Sequence, residues 1–211
     1  MTDAEVRKPV PAWIWGGALL AASAVVPTAV RAVAPGGFGS GVAIVTAVLF
    51  AASLLVFAFG LRGQGSIVAR RPSGMAALLV LAILPPIVEL ALSALATEQD
   101  ISLLQIVSFA QLAVNAAAAL VAVVAIGRAA VVPRPWQWAP AWGLAVIVAT
   151  SALPQIVLVG ASGQDPQGLL WLFALGSLVI LTVPLALGVL AMVLGARGQA
   201  APSPQIYPPA V

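Results

Sequence analysis

The 211-residue chain contains no cysteine and no histidine. The first absence excludes disulfide scaffolds, cysteine-ligated zinc, iron–sulfur clusters and thiol nucleophiles. The second removes haem ligation by imidazole, Ser–His catalysis and most intramembrane metalloprotease chemistry. Charge is also scarce. Only 7% of residues are Asp, Glu, Lys or Arg, against about 25% in an ordinary soluble domain. No nucleophile stands beside a base, and no loop cradles phosphate next to a lysine. The glycine-rich run Gly36–Gly41 reads as a turn between two apolar segments. No catalytic, cofactor or metal site is expected.

What fills the chain instead is hydrocarbon: 62% of residues are hydrophobic and the mean hydropathy is +1.12. Soluble domains hold about 45–50% apolar residues, and a globule of this length could not hide the excess. The chain belongs in a bilayer. Its Ala/Val/Gly/Pro-heavy usage suggests a GC-rich bacterial genome and an inner-membrane protein.

A helix crossing a core of about 30 Å needs roughly 20 apolar residues. Six stretches qualify, Trp13–Ala34, Gly41–Leu61, Gly74–Ala96, Ile101–Gly127, Trp138–Ala161 and Gly168–Ala196. The expected fold is an all-α integral membrane protein, a six-transmembrane-helix bundle forming a single membrane domain over 13–197. Residues 1–12 form a cytoplasmic N-terminal segment, and 198–211 a flexible proline-rich tail. The basic start and the triplet Ala32-Val33-Ala34 resemble a signal peptide. Against cleavage stand Pro35 just beyond the cut and an apolar run longer than the usual h-region.

Arg7, Lys8, Arg62, Arg70, Arg71, Arg128, Arg134 and Arg197 all fall on one side of the six spans. Glu98, Asp100 and Asp165 fall on the other. Cytoplasmic loops are the ones enriched in Lys and Arg, so both termini are expected in the cytoplasm. Trp13, Trp15, Trp136, Trp138 and Trp142 cluster near that face as candidate interface anchors. The basic balance implies attraction to anionic lipid there. No concentrated basic patch points to nucleic acid.

Basic–proline pairs open each odd span: Lys8-Pro9, Arg71-Pro72 and Arg134-Pro135, spaced 63 residues apart. Prolines recur in the outer halves at Pro27, Pro85-Pro86 and Pro154. The pattern suggests three weakly repeated helical hairpins around an axis along the membrane normal. Equal hairpin lengths in one bilayer would produce much of the same spacing.

Glu89 is the sole acidic residue inside a span, and ionisable groups at that depth are functional candidates. Its natural partner is Arg31, since each stands four residues after a proline. The pair would clamp the first span to the third. Alternatively, Glu89 couples protons or ions to transport. In the fourth span Gln105, Ser108, Gln111 and Asn115 recur at helical spacing on one face. Amides facing lipid would go unsatisfied, so this stripe must face protein or water. Ala110, Ala113 and Ala117 through Ala119 add a small surface for close packing, placing this helix centrally. Gln155 completes the candidate polar site.

Beyond these groups the spans offer little polarity. The expected function is therefore that of a non-catalytic accessory or scaffold subunit, binding a membrane-protein partner or a second copy through helix packing. The alternative is a small transporter, channel or substrate-binding membrane subunit for an apolar or weakly polar solute.

Overall fold

The computed structural model describes residues 10–33, 39–61, 66–69, 71–95, 101–129, 131–132, 136–160 and 170–198. They form six α-helices: α1 (Pro11–Val33), α2 (Gly39–Phe59), α3 (Pro72–Leu95), α4 (Ile101–Ala129), α5 (Ala139–Gly160) and α6 (Leu170–Arg197). A 3-10 turn, Trp136–Trp138, leads into α5. There is no strand among the described residues. Four helices are long and apolar enough to cross a bilayer, over Pro11–Val30, Gly41–Phe59, Phe109–Ala129 and Ala174–Arg197. The chain is an all-helical protein of membrane type.

Helix is what an apolar sequence must adopt in hydrocarbon, where every backbone N–H and C=O needs a partner within its own segment. Two hydroxyls are satisfied the same way. Ser23 donates to the Leu20 carbonyl at 2.7 Å, and Thr46 to that of Val42 at 2.8 Å. Punctuation sets the ends. Pro11 and Pro72 occupy first helical positions, where a missing N–H costs nothing. Gly60, at φ 72°, stops α2 and donates to the Val56 carbonyl at 2.8 Å. The next free carbonyls of α2 are met from the following turn, by Ser66 Oγ on Ala58 at 2.6 Å and Ile67 N on Phe57 at 3.1 Å.

The six helices form a ring in chain order, each packed against its two sequence neighbours, with α6 returning to α1. Directions alternate around it. Gly16 of α1 faces Phe57 near the end of α2, and Gly74 of α3 faces Ala125 near the end of α4. From the middle of α6 onward, Val183 and Leu187 meet Gly143 near the start of α5. The start of α1 is tied to the end of α6 by a bond from Val10 N to Gly195 O at 2.9 Å. One end of the ring therefore gathers the starts of α1, α3 and α5 with the ends of α2, α4 and α6. Arg71, Arg128 and Arg197 are exposed there, and we call it the basic end.

A buried apolar cluster lies at this end, where Ala58, Val68, Ala77, Leu78, Ala122, Ala125 and Ile126 join α2, α3, α4 and the intervening turn. The outer faces carry exposed aliphatics such as Leu112, Leu120, Leu178 and Ile180, as a surface covered by lipid tails requires.

Helix boundaries fall within a few residues of those expected, with three differences. Gly39 belongs to α2, so the glycine-rich run is helical in its second half. Trp13 is not an interface anchor: it is 2% exposed, sealed against α6, where its Cβ lies 2.9 Å from the space a methyl at Gly195 would fill. Finally, α4 is a ring member and not central, with Leu112, Val114 and Leu120 facing outward. A ring gives a polar stripe an interior to face without surrounding the helix that bears it. Neighbouring helices do not pack equally: α4 meets α5 far more loosely than α6 meets α1.

Candidate functional site

Between the helices lies a half-open chamber of about 260 Å³. Every helix contributes to its wall: Trp13 and Leu20 from α1, Phe50 and Phe57 from α2, Leu78 and Leu81 from α3, Ala119 and Ile126 from α4, Gly143 and Ile147 from α5, Val183 and Leu187 from α6. Ile67, Val132 and Trp136 close it from the connecting segments. All these positions lie in the basic half of the bundle. Along α6 the lining runs from Val183 to Leu194, a height of about 16 Å at 1.5 Å per residue.

The wall is hydrocarbon. Among the described residues its lining is aliphatic, aromatic, glycine or proline, and the indole N–H groups of Trp13 and Trp136 are the sole polar side-chain groups in it. A smaller engineered cavity of about 150 Å³ stays dry and takes up benzene. Chemically, the chamber can bind an apolar body and cannot compensate a charge.

Its construction follows from small residues set among large ones. Ala119, Ala122, Gly143 and Ala191 give up side-chain volume on the inner faces of α4, α5 and α6. Elsewhere the ring is drawn tight, most of all at α1–α6. A methyl at Gly188 would lie 2.6 Å from the Gly17 carbonyl oxygen, so the two backbones touch. At the basic end of the α4–α5 side, the 3-10 turn sets the benzo edge of Trp138 against Gly127, where a methyl would meet it at 2.8 Å.

The polar stripe of α4 is in register with this chamber. Asn115 precedes Ala119, Ala122 and Ile126 by four, seven and eleven residues, which puts all four on one face. Gln111 and Asn115 are half-buried while their neighbours Leu112, Val114 and Ala116 are exposed. Gln111 and Asn115 thus lie on the less exposed side of α4, Asn115 one turn before Ala119 of the chamber. The Oδ1 atom of Asn115 is buried and accepts no hydrogen bond, a loss of about 1–3 kcal/mol for an orphaned polar atom. A second orphan, Ser53 Oγ on α2, is fully buried away from the chamber.

Of the remaining sequence candidates, Arg31 and Glu89 stand on the backbones of α1 and α3, Gln105 and Ser108 on α4, and Gln155 on α5. Their side chains lie outside the described residues. In the ring, α2 stands between α1 and α3, so an Arg31–Glu89 pair would have to reach past it. Sequence reasoning missed the chamber entirely. Its lining repeats at helical spacing, as in Phe50, Leu54 and Phe57, but so do the aliphatics facing lipid. The one available signal is the mixing of Ala and Gly with bulky residues on a single face.

Compared with known protein families, with curated proteins and with solved structures, the chain matches none at a significant level.

Proposed function

We propose that this is a six-span bacterial membrane protein, with both termini in the cytoplasm, that binds an apolar or weakly polar small molecule within its helical ring. The observation that carries this reading is the 260 Å³ chamber walled by all six helices, with no charged residue among the described residues that line it. Ligand sites are concave, mostly apolar and built between helices of bundles. The scarcity of intramembrane polar groups, which in the sequence favours a scaffold, is equally what an apolar wall demands. At the density of a packed interior the space holds on the order of a dozen heavy atoms. The basic end would lie at the cytoplasmic leaflet, following the bias of Lys and Arg, so the chamber sits in the inner half of the bilayer.

The test is purification in a mild detergent, solvent extraction and mass spectrometry of what is released, for the wild type and for Ala119→Phe. One small apolar compound at fixed stoichiometry, lost in the variant, is the expected result. Bulk phospholipid alone would overturn the reading. A protein subunit at fixed stoichiometry in place of the small molecule would make the chain an accessory subunit.

A further inference from the structure

We infer that the chamber fills sideways, through a mouth between α4 and α5, and that its occupant is an uncharged hydrophobe dissolved among the lipid tails. This rests on the reading of the chamber as a binding site. The chamber is half-open, and the flanks of its helices locate the opening. Of all neighbouring helix pairs, α4 and α5 touch least.

Going round α5, Gly143 rests against Val183 and Leu187 of α6. The lining continues through Ile147, Pro140 and Leu144. The next position in that direction is Val148, which is 52% exposed. Going round α4, Ala125 meets Gly74 of α3. The lining continues through Ala122, Ile126, Ala119 and Val123. Beyond it comes the flank shared by Leu120 and Gly127, two turns apart. This flank is the one turned to α5, because Trp138, at the entry to α5, covers Gly127. Yet Leu120 on the same flank is 60% exposed. Leu120 stands nine residues before the end of α4, and Val148 nine residues after the start of α5. In antiparallel helices the two therefore share a height of about 14 Å above the basic end. A closed seam would bury both.

The level of the mouth decides what can enter. Trp138 on Gly127 stands between it and the basic end, and a height of about 14 Å is near the middle of a core about 30 Å thick. The mouth thus faces lipid tails. A charged solute would have to cross hydrocarbon to reach it, and would find no counter-charge among the described lining residues. An uncharged hydrophobe already in the bilayer meets neither obstacle.

The experiment uses the full chain in lipid nanodiscs with adamantyl diazirine, a photoreactive hydrocarbon of about a dozen heavy atoms, the number the chamber holds. In the wild type, light should attach it to chamber residues such as Ala119 and Ile147. Excess adamantane should compete, and its trimethylammonium derivative should not. Because the chain has no cysteine, the double variant Leu120→Cys, Val148→Cys can be bridged across the mouth by a short bismaleimide with a reducible spacer. Chamber labelling should be lost on bridging, return on reduction, and survive when each thiol carries only N-ethylmaleimide. Labelling that persists across the bridge, or thiols that cannot be bridged, would overturn the mouth and leave the chamber reading standing. Competition by the charged derivative would overturn the uncharged class. If the wild-type chamber is never labelled, the chamber reading itself falls. Should the double variant fail to fold, Leu120→Trp with Val148→Trp narrows the same gap with apolar bulk, and the same loss of labelling is expected.

Discussion

Gly17 and Gly188 meet backbone to backbone where α1 crosses α6, each carbonyl oxygen occupying the space in which the other residue's side chain would stand. Without side chains between them, the two helices gain the dispersion contacts that drive association in lipid, where the hydrophobic effect between helices is absent. Next to this crossing, Met192 and Ala21 complete the contact.

Gly188→Ala should therefore destabilise the protein by about 1–3 kcal/mol or more, since the obstructing atoms are backbone and cannot yield. Gly176 provides the control. A methyl there meets nothing within 4 Å, so Gly176→Ala should be neutral or stabilising by up to about 1 kcal/mol through helix propensity. Thermal unfolding of both variants in one detergent checks the contrast.

Gly127→Ala tests the α4–α5 closure. Here the obstruction is the Trp138 ring, a side chain able to swing aside. The cost should be about 1 kcal/mol, smaller than at Gly188. Tryptophan emission should shift to the red as the ring moves toward solvent or headgroups, and an unchanged spectrum would contradict the packing.

Ala119→Phe fills part of the chamber. Occupying an apolar void commonly stabilises a fold by about 0.5–2 kcal/mol, so the variant should melt higher than ligand-free wild type while losing affinity for apolar probes. A lower melting temperature together with undiminished binding would place the wall elsewhere.

Ser53→Ala removes a fully buried hydroxyl that has no partner. Because nothing is lost but an unsatisfied group, stability should hold or rise by about 1 kcal/mol. Loss of stability would show that the hydroxyl has a partner under native conditions. Thermal unfolding decides it.

Because the chain has no cysteine, orientation can be read with single introduced thiols. In intact cells an impermeant maleimide should label Asp100→Cys and Asp165→Cys, and should reach Thr2→Cys and Ser203→Cys only after permeabilisation. The reverse pattern would invert the orientation proposed from the basic residues.

The helices themselves were legible because long apolar runs leave the backbone no other way to satisfy its hydrogen bonds. Their ends were legible from residues such as Pro11, Pro72 and Gly60. The inward face of α4 could also be read, since Gln111 and Asn115 recur at helical spacing. Its supposed central place could not. Periodicity says which way a side faces, and is silent on how many helices surround it. The closure of α1 on α6 depends on Gly17 and Gly188, far apart in sequence and each unremarkable alone. The chamber escaped for a related reason: in a protein apolar on every side, a Leu lining a cavity and a Leu facing lipid look the same.

The bond from Val10 to Gly195 and the glycine crossing beside it have a consequence for biosynthesis. Of these six helices, α1 is made before α6, its most extensive partner. The seam through Gly17 and Gly188 therefore closes only after α2 to α5 have been synthesised.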